Sequence, residues 1–199
     1  MFLSSTKKEF VMQVYELKGE LRSEFGKKAN KAVRKQELVP CELYGAEENM
    51  HFTVSEKELT KSINTPNTYI FKLNIAGKEV EAVIREVQFH PVSDRVLHAD
   101  FLLVQADKPV AVEIPVRLDG FAKGVQAGGK LSIIIRKLKV KGLSKDLPDV
   151  LPIEVSELGL GQSIKVSALS FPGIELLNAK SAVVAQVKLT RAARAAMNA

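Results

Sequence analysis

The sequence predicts a mainly β protein, all-β apart from a few short helices, arranged as two β-rich domains. Three observations lead there. Apolar and polar residues alternate in short runs along most of the chain, the period of a half-buried strand. Glycine and proline punctuate those runs at close intervals, notably at Gly120, Gly124, Gly128, Gly129, Gly142, Pro148, Pro152, Gly159, Gly161, Pro172 and Gly173, which suits short strands rather than long helices. Charge is also divided unevenly. Residues 1–108 carry 16 Lys+Arg against 16 Asp+Glu, whereas residues 109–199 carry 13 against 7. A polar stretch from Gln105 to Pro109 lies at that division, so the domains are expected at 12–108 and 109–190.

Residues 1–11 have no periodicity, and Met12 stands directly before a strand pattern. They read as an extra or disordered N-terminal arm, with Met12 as an alternative natural start. Gln13 to Arg22 then alternates, with Tyr15, Leu17, Gly19 and Leu21 on one side and Glu16, Lys18, Glu20 and Arg22 on the other. Gly26 interrupts that run. Lys28 to Glu37 has the Ala, Lys, Arg and Gln content of a short helix, with Ala29, Ala32, Val33 and Gln36 on its weakly apolar side and Pro40 enforcing an end near Val39. Cys41–Gly45 and His51–Val54 read as strands about the turn AEEN. Ser55 opens a capping box with Glu58, ahead of a helix bearing Leu59 and Ile63. Tyr69, Phe71, Leu73 and Ile75 lead into the turn AGK, and Val80, Ala82 and Ile84 resume beyond it as a hairpin. Small β-barrels are built in this way. Val87 to Val104 supplies a strand, a turn at HPVSD, and a returning strand that puts His98 and Asp100 on one face and Leu97, Ala99, Phe101 and Leu103 on the other.

In the second half, strands are expected over Val110–Leu118, over one long run Leu131–Val140, and at Ile153–Val155, Ser163–Val166 and Ala182–Leu189, as in a sandwich or open barrel. Residues 191–199, RAARAAMNA without its first Thr neighbour, read as a mobile tail or frayed helix.

Composition narrows the function. At 199 residues with 46% hydrophobic content the chain can bury a core, and its net charge of +6 with pI near 9.3 favours acidic partners. Cys41 is the only cysteine, which excludes an intrachain disulfide and suggests a buried small hydrophobe in a cytosolic protein. No apolar run approaches the roughly 20 residues of a membrane span, and the N-terminal residues lack the apolar stretch of a signal peptide. The neutral first half holds one concentrated basic block. Between Lys18 and Lys35, Lys18, Arg22, Lys27, Lys28, Lys31, Arg34 and Lys35 face only Glu20 and Glu24, a net charge of +5. Such a block suits a polyanion, and a solvated helix face is the alternative.

Catalysis finds no support. Gly124–Lys130, GVQAGGK, matches the GxxxxGK core of a phosphate-binding loop, but Leu131 replaces the required Ser or Thr and a strand follows where a helix is needed. The reading is a structural glycine loop, with a nucleotide-binding enzyme as the alternative. His90, His98 and Asp100 do not complete a metal site, and Cys41 has no thiol partner. Neither a cofactor nor a metal is expected.

VPCELYG (39–45), VQFHPVSDRVLHADF (87–101) and the GGKL loop (128–131) together resemble the CTC-type general stress proteins. These are the long, two-domain branch of large-subunit ribosomal protein twenty-five, and the similarity runs from about Met12 to Leu189. The resemblance implies a six-stranded N-terminal β-barrel docked in the minor groove of the loop E region of 5S rRNA, followed by a second, sandwich-like β domain. It places Arg22, Lys27, Lys31, Arg34, Tyr44, Gln88, His98 and Asp100 toward RNA, and Lys28 and Arg85 join them. Ala32 stands where the family often has a base, with Lys28 one turn away. Glu42, Arg85, Glu86 and Phe89 also depart from the common pattern. Asp100 either accepts hydrogen bonds from base amino groups or orients His98. The implied protein is a structural constituent of the large ribosomal subunit, ribosome-associated in the cytoplasm, monomeric off the ribosome and without a membrane partner. Its second domain is open to other ribosomal proteins or 23S rRNA. A stress-induced RNA-binding factor acting partly off the ribosome is the alternative within the same chemistry.

Overall fold

The computed structural model describes residues 12–45, 48–105, 107–191 and 193. They form two compact units, one over Met12–Val112 and one beginning at Glu113, and the division falls within a strand. The reading of residues 1–11 lies outside the described residues, as does most of the reading of the tail. Of the tail, Ala193 is buried and its N–H donates to Thr190 Oγ1 at 3.1 Å.

The first unit is a closed barrel in the order β1-β3-β2-β6-β5-β4. Its strands are β1 (Gln13–Leu21), β2 (Leu38–Tyr44), β3 (Met50–Ser55), β4 (Tyr69–Ile75), β5 (Lys78–Phe89) and β6 (Val96–Leu103). β1 closes it by running parallel to β4, from Gln13 opposite Tyr69 to Gly19 opposite Ile75, and then pairing antiparallel with β3 at Gly19–Leu21. Alternation works as the sequence suggests: Leu17, Val39, Cys41, Leu43, Phe52, Val54, Phe71, Leu73, Ala99 and Phe101 fill the interior. Three phenylalanines form its centre, with Phe101 5.7 Å from Phe52 and 5.5 Å from Phe71 between ring centroids. Leu21 is the exception on β1. It is 57% exposed, because the strand has reached the barrel rim by that point.

Two helices connect these strands. α2 (Glu56–Ile63) seats Leu59 fully in the core. The capping box foreseen for it does not form, since the Ser55 side chain makes no cap bond; instead the Glu56 N–H donates to Glu37 O at 2.9 Å, a tertiary cap in place of a local one. α1 (Lys27–Lys35) ends earlier than Pro40 would require. Glu37 turns the chain with φ 57°, and Pro40 lies buried inside β2, before the β6 pairing that begins at Cys41. The β4–β5 hairpin turns through Ala76 (φ 50°) and Gly77 (φ 85°), the left-handed pair of a tight hairpin turn. At the β5–β6 turn, His90 Nδ1 accepts the N–H groups of Val92 and Ser93, so this histidine shapes a loop.

The second unit contains a four-stranded sheet, β10-β7-β9-β12, and a three-stranded sheet, β11-β13-β8. These comprise β7 (Val110–Asp119), β8 (Lys130–Ile133), β9 (Lys137–Gly142), β10 (Leu151–Glu154), β11 (Ser163–Lys165), β12 (Ile174–Leu176) and β13 (Val183–Lys188). The single long strand foreseen over 131–140 is instead two strands in different sheets. Ile134 and Ile135 N–H both turn to Val184 O, while Arg136 O accepts from Val116 N, so the chain changes sheet between them. Val140, Leu138, Ile114, Leu151, Ile153, Val184 and Val187 supply buried side chains on both sheets.

Gly19 exposes how tightly the barrel is filled. A Cβ placed there meets Phe52 Cδ2 at 2.7 Å. Gly19→Ala is expected to cost about 1–3 kcal/mol in urea unfolding by overpacking the barrel. Combining it with Phe52→Leu should cost less than the two changes separately, because the same ring atom is involved in both.

Candidate nucleic-acid interface

α1 is the connector from β1 to β2 and carries the basic block. Its docking face is Ala29, Asn30, Val33 and Arg34; Ala32 and Gln36, assigned to that side by helical spacing, are exposed. No residue of α1 is fully buried. The helix is therefore held mainly by polar bonds. Arg34 Nε donates to Leu97 O at 3.0 Å, and Arg95 Nη2 donates to Arg34 O at 3.4 Å. Arg22 donates to Asn30 Oδ1 at 2.6 Å and to Glu24 O at 2.8 Å.

These bonds sort the predicted cations into two groups. Arg22 and Arg34 turn at least part of their guanidinium inward and brace the helix. Lys27, Lys28 and Lys31 are exposed and form no ion pair among the described residues. A cleft of about 490 Å³ is lined by Lys27, Asn30, Lys31, Arg34, Lys35 and Arg95, with no carboxylate among them. Lys35 was legible, since it follows Lys27 and Lys31 at four-residue spacing on one helix face. Arg95 was not, for it arrives from the β5–β6 turn, 61 residues from Arg34. The first turn of α1 contains Lys27 and Lys28 and no acid. Cations there oppose the helix dipole, an arrangement that a bound anion would relieve.

Arg95 is itself fixed by Glu56, with Nε 2.9 Å from Oε1 and a second bond to Oε2. Those hydrogen bonds hold the Glu56 carboxyl below the ordinary glutamate range, against the opposing effect of its partial burial.

The second part of the site is the outer face of β2, β6 and β5, adjoining α1 through Leu97. Gln88 lies opposite His98, Glu86 opposite Asp100, and Asp100 opposite Glu42. Arg85 occupies the irregularity between Ile84 and Glu86, where β5 shifts register, and its Nη1 donates to Ala111 O at 3.3 Å. His98 Nδ1 is 2.8 Å from Asp100 Oδ1. Asp100 thus orients His98, one of the two roles left open by the sequence, and fixes which ring nitrogen remains for a partner. Tyr44 is joined to the same group electrostatically: partial burial chiefly pushes its hydroxyl pKa up, Arg85 opposes this, and Asp100, Glu86 and Glu42 add to it. All ten sequence-predicted residues therefore lie on α1, on its approach from β1, or on the β2–β6–β5 face. Glu42, Asp100 and Glu86, in adjacent register, make a carboxylate row that the sequence did not reveal.

Other candidate chemistry dissolves on inspection of its geometry. The N–H groups of Gly124 to Gly129, which a phosphate loop would direct at its ligand, all donate within the unit: Gly124 to Leu158 O, Val125 and Gln126 to Ala122 O, Ala127 to Lys123 O, Gly128 to Val125 O and Gly129 to Gly124 O. Residues 123–126 form a short helix, α3 (Lys123–Gln126), and a Cβ at Gly124 would lie 2.6 Å from the Gly159 carbonyl carbon. This glycine loop is packing. Among the described residues, no group of three or more His, Cys, Asp or Glu side chains is placed to hold a metal. Cys41 is buried, and that burial pushes its thiol pKa far up, so it behaves as core.

A closed barrel bearing a cationic helix and followed in the chain by a second β unit that packs around glycines defines a two-unit β protein with a cationic surface. The chain belongs to the Ribosomal L25p family, which it matches over residues 17–101, and residues 109–191 match the C-terminal domain of ribosomal protein TL5. It is similar to the large ribosomal subunit protein bL25 of Azobacteroides pseudotrichonymphae, 52% identical over 94% of this chain and 100% of that protein. The bL25 of Phocaeicola vulgatus is 48% identical over 93% of this chain and 97% of that protein, and that of Bacteroides fragilis 52% identical over 88% and 89%.

Two expectations follow from the geometry. Lys31→Ala should change unfolding free energy by less than about 0.5 kcal/mol, whereas Arg34→Ala, which unmakes the bond to Leu97 O, should cost about 1–2 kcal/mol in the same urea titration. Glu56 has a folded pKa below its unfolded one, so its pairing contributes stability above the ordinary glutamate range that is lost as pH falls through the folded value. Arg95→Ala should accordingly lower stability at neutral pH, and its difference from the native chain should close in acid.

Proposed function

We propose that this protein is a structural constituent of the large ribosomal subunit and binds 5S rRNA through residues 12–112, docking α1 and the β2–β6–β5 face against a wide, shallow minor groove. The observation that carries this reading is the juxtaposition of a carboxylate-free cationic cleft with an adjoining polar sheet face. Phosphates meet Lys27, Lys28, Lys31 and Lys35. Gln88 and His98 reach base edges and 2′-hydroxyls, the groups that such a groove presents.

The carboxylate row supports a groove rather than a bare backbone. Glu42, Asp100 and Glu86 would repel a phosphate placed over them, yet they are good acceptors for base amino groups and ribose hydroxyls. Phosphate-facing cations on the helix and acceptors on the sheet thus correspond to the edge and floor of a groove. The names of the similar bL25 proteins support a place in the large subunit, and hence a ribosome-associated, cytoplasmic location. The second unit adds non-specific affinity in this reading, its partner being other ribosomal proteins or 23S rRNA.

Affinity for 5S rRNA and for a scrambled duplex, measured against salt concentration, tests the assignment. Lys31→Ala with Lys35→Ala should weaken both RNAs alike and reduce the salt slope by about 0.7–0.9 log units per lost phosphate contact. Gln88→Ala should leave the slope unchanged and cost roughly 1–3 kcal/mol for 5S rRNA alone. An unchanged slope in the double lysine variant would return α1 to a solvated face.

A further inference from the structure

Phe25 lies between β1 and α1 and is 60% exposed, whereas Phe52, Phe71 and Phe101 of the same unit are buried. Its ring is not loose. The Arg22 guanidinium carbon sits 5.6 Å from its centroid, and the His51 ring meets it nearly edge-on at 4.9 Å and 69°. Arg22 in turn is locked by Glu24 O and Asn30 Oδ1, and its own N–H donates to His51 O at 3.1 Å. An aromatic ring is thus held in position by a fixed cation and a second ring, with most of its surface facing outward. Lys27 and Lys28 follow immediately in the chain, on the exposed first turn of α1.

We propose that Phe25, braced by Arg22 and His51, is a stacking platform for an unstacked nucleobase of the bound RNA, a contact that rests on the RNA-binding reading above and extends its footprint beyond the helix and sheet face. The chemistry matches on three counts. A nucleobase offers a π-face to an exposed aromatic ring. The cation at Arg22 strengthens the ring's role as a platform through cation–π attraction. The phosphates flanking such a base would fall within the field of Lys27 and Lys28, which form no ion pair among the described residues. A protein partner's apolar side chain would gain nothing from those lysines.

The chain contains no tryptophan, so Phe25→Trp installs a single indole reporter at the platform. Full-length Phe25→Trp should bind 5S rRNA as the native chain does, with its fluorescence quenched on binding. Phe25→Ala should lose about 5- to 150-fold in affinity for 5S rRNA with an unaltered salt slope. Phe25→Leu, which keeps apolar volume and removes the π-face, should also lose affinity. Native-like binding by Phe25→Leu, binding by Phe25→Ala within twofold of the native chain, or an unquenched tryptophan in the RNA complex would each overturn the platform. If Phe25→Ala fails to fold, the tryptophan and leucine variants decide. A native chain that does not prefer 5S rRNA over the scrambled duplex sinks the RNA reading and the platform together, whereas selective native binding with an indifferent Phe25 sinks the platform alone.

Discussion

Closure of the barrel by β1 against β4 is the constraint on which the first unit depends. Parallel pairing from Gln13 to Gly19 commits the first strand to one edge of the sheet, and the switch to β3 at Gly19–Leu21 joins the other. Closure removes both free edges and leaves each strand with one inward and one outward set of side chains. It also determines where the chain must go next. β1 and β2 both run antiparallel to β3, so the segment that leaves β1 beside His51 must return along the barrel to begin β2 opposite Ser55, and α1 makes that return. The basic helix therefore lies on the outside of the barrel, tied to β6 by the bond from Arg34 to Leu97 O.

That position explains why α1 is attached by polar groups. A helix reached through Gly26 (φ 100°) on the outside of a barrel whose apolar side chains point inward has none of its residues fully buried. Arg22, Arg34 and Arg95 replace apolar packing with directed bonds to Asn30, Leu97 and the helix backbone. Arginine suits this role because its planar fork can bind inward while charge remains near the surface. Lysine, a compact cation on a flexible stem, takes the outward positions. Division of labour between the two residue types keeps the cationic face rigidly placed without neutralising it.

The second unit solves its packing differently. Its glycines admit close approach: Gly124 lies against the backbone of Gly159 and Leu160, and Gly129 against the Val187 and Leu160 side chains and the Gly124 carbonyl oxygen. The same residues that imitate a phosphate loop in sequence have spent their N–H groups on carbonyls of the same unit, those of Leu158, Ala122, Lys123, Val125 and Gly124. A motif of this kind has meaning only with a strand before it, a helix after it and unspent donors between, and here the donors are satisfied internally.

Period-two alternation sufficed to specify the mainly β class, the inward residues of most barrel strands and the Ala76–Gly77 hairpin, because which face a strand residue takes is a local property. The basic block and the shared face of His98 and Asp100 were legible for the same reason. What alternation could not reveal was anything decided by a distant partner. The Ser55 cap yields to Glu37 from another segment, the apolar run at 131–140 breaks where Val184 captures two successive N–H groups, and the docking side of α1 is chosen by Leu97 and Arg95 rather than by its alanines. The inward duty of Arg22 and Arg34, the arrival of Arg95, and the register that aligns Glu42, Asp100 and Glu86 all depend on pairings across the closed barrel. Sequence by itself determined the residue types and the faces of individual strands; tertiary structure alone decided which cations remain outward, because that depends on which carbonyls and carboxylates the fold brings within hydrogen-bond reach.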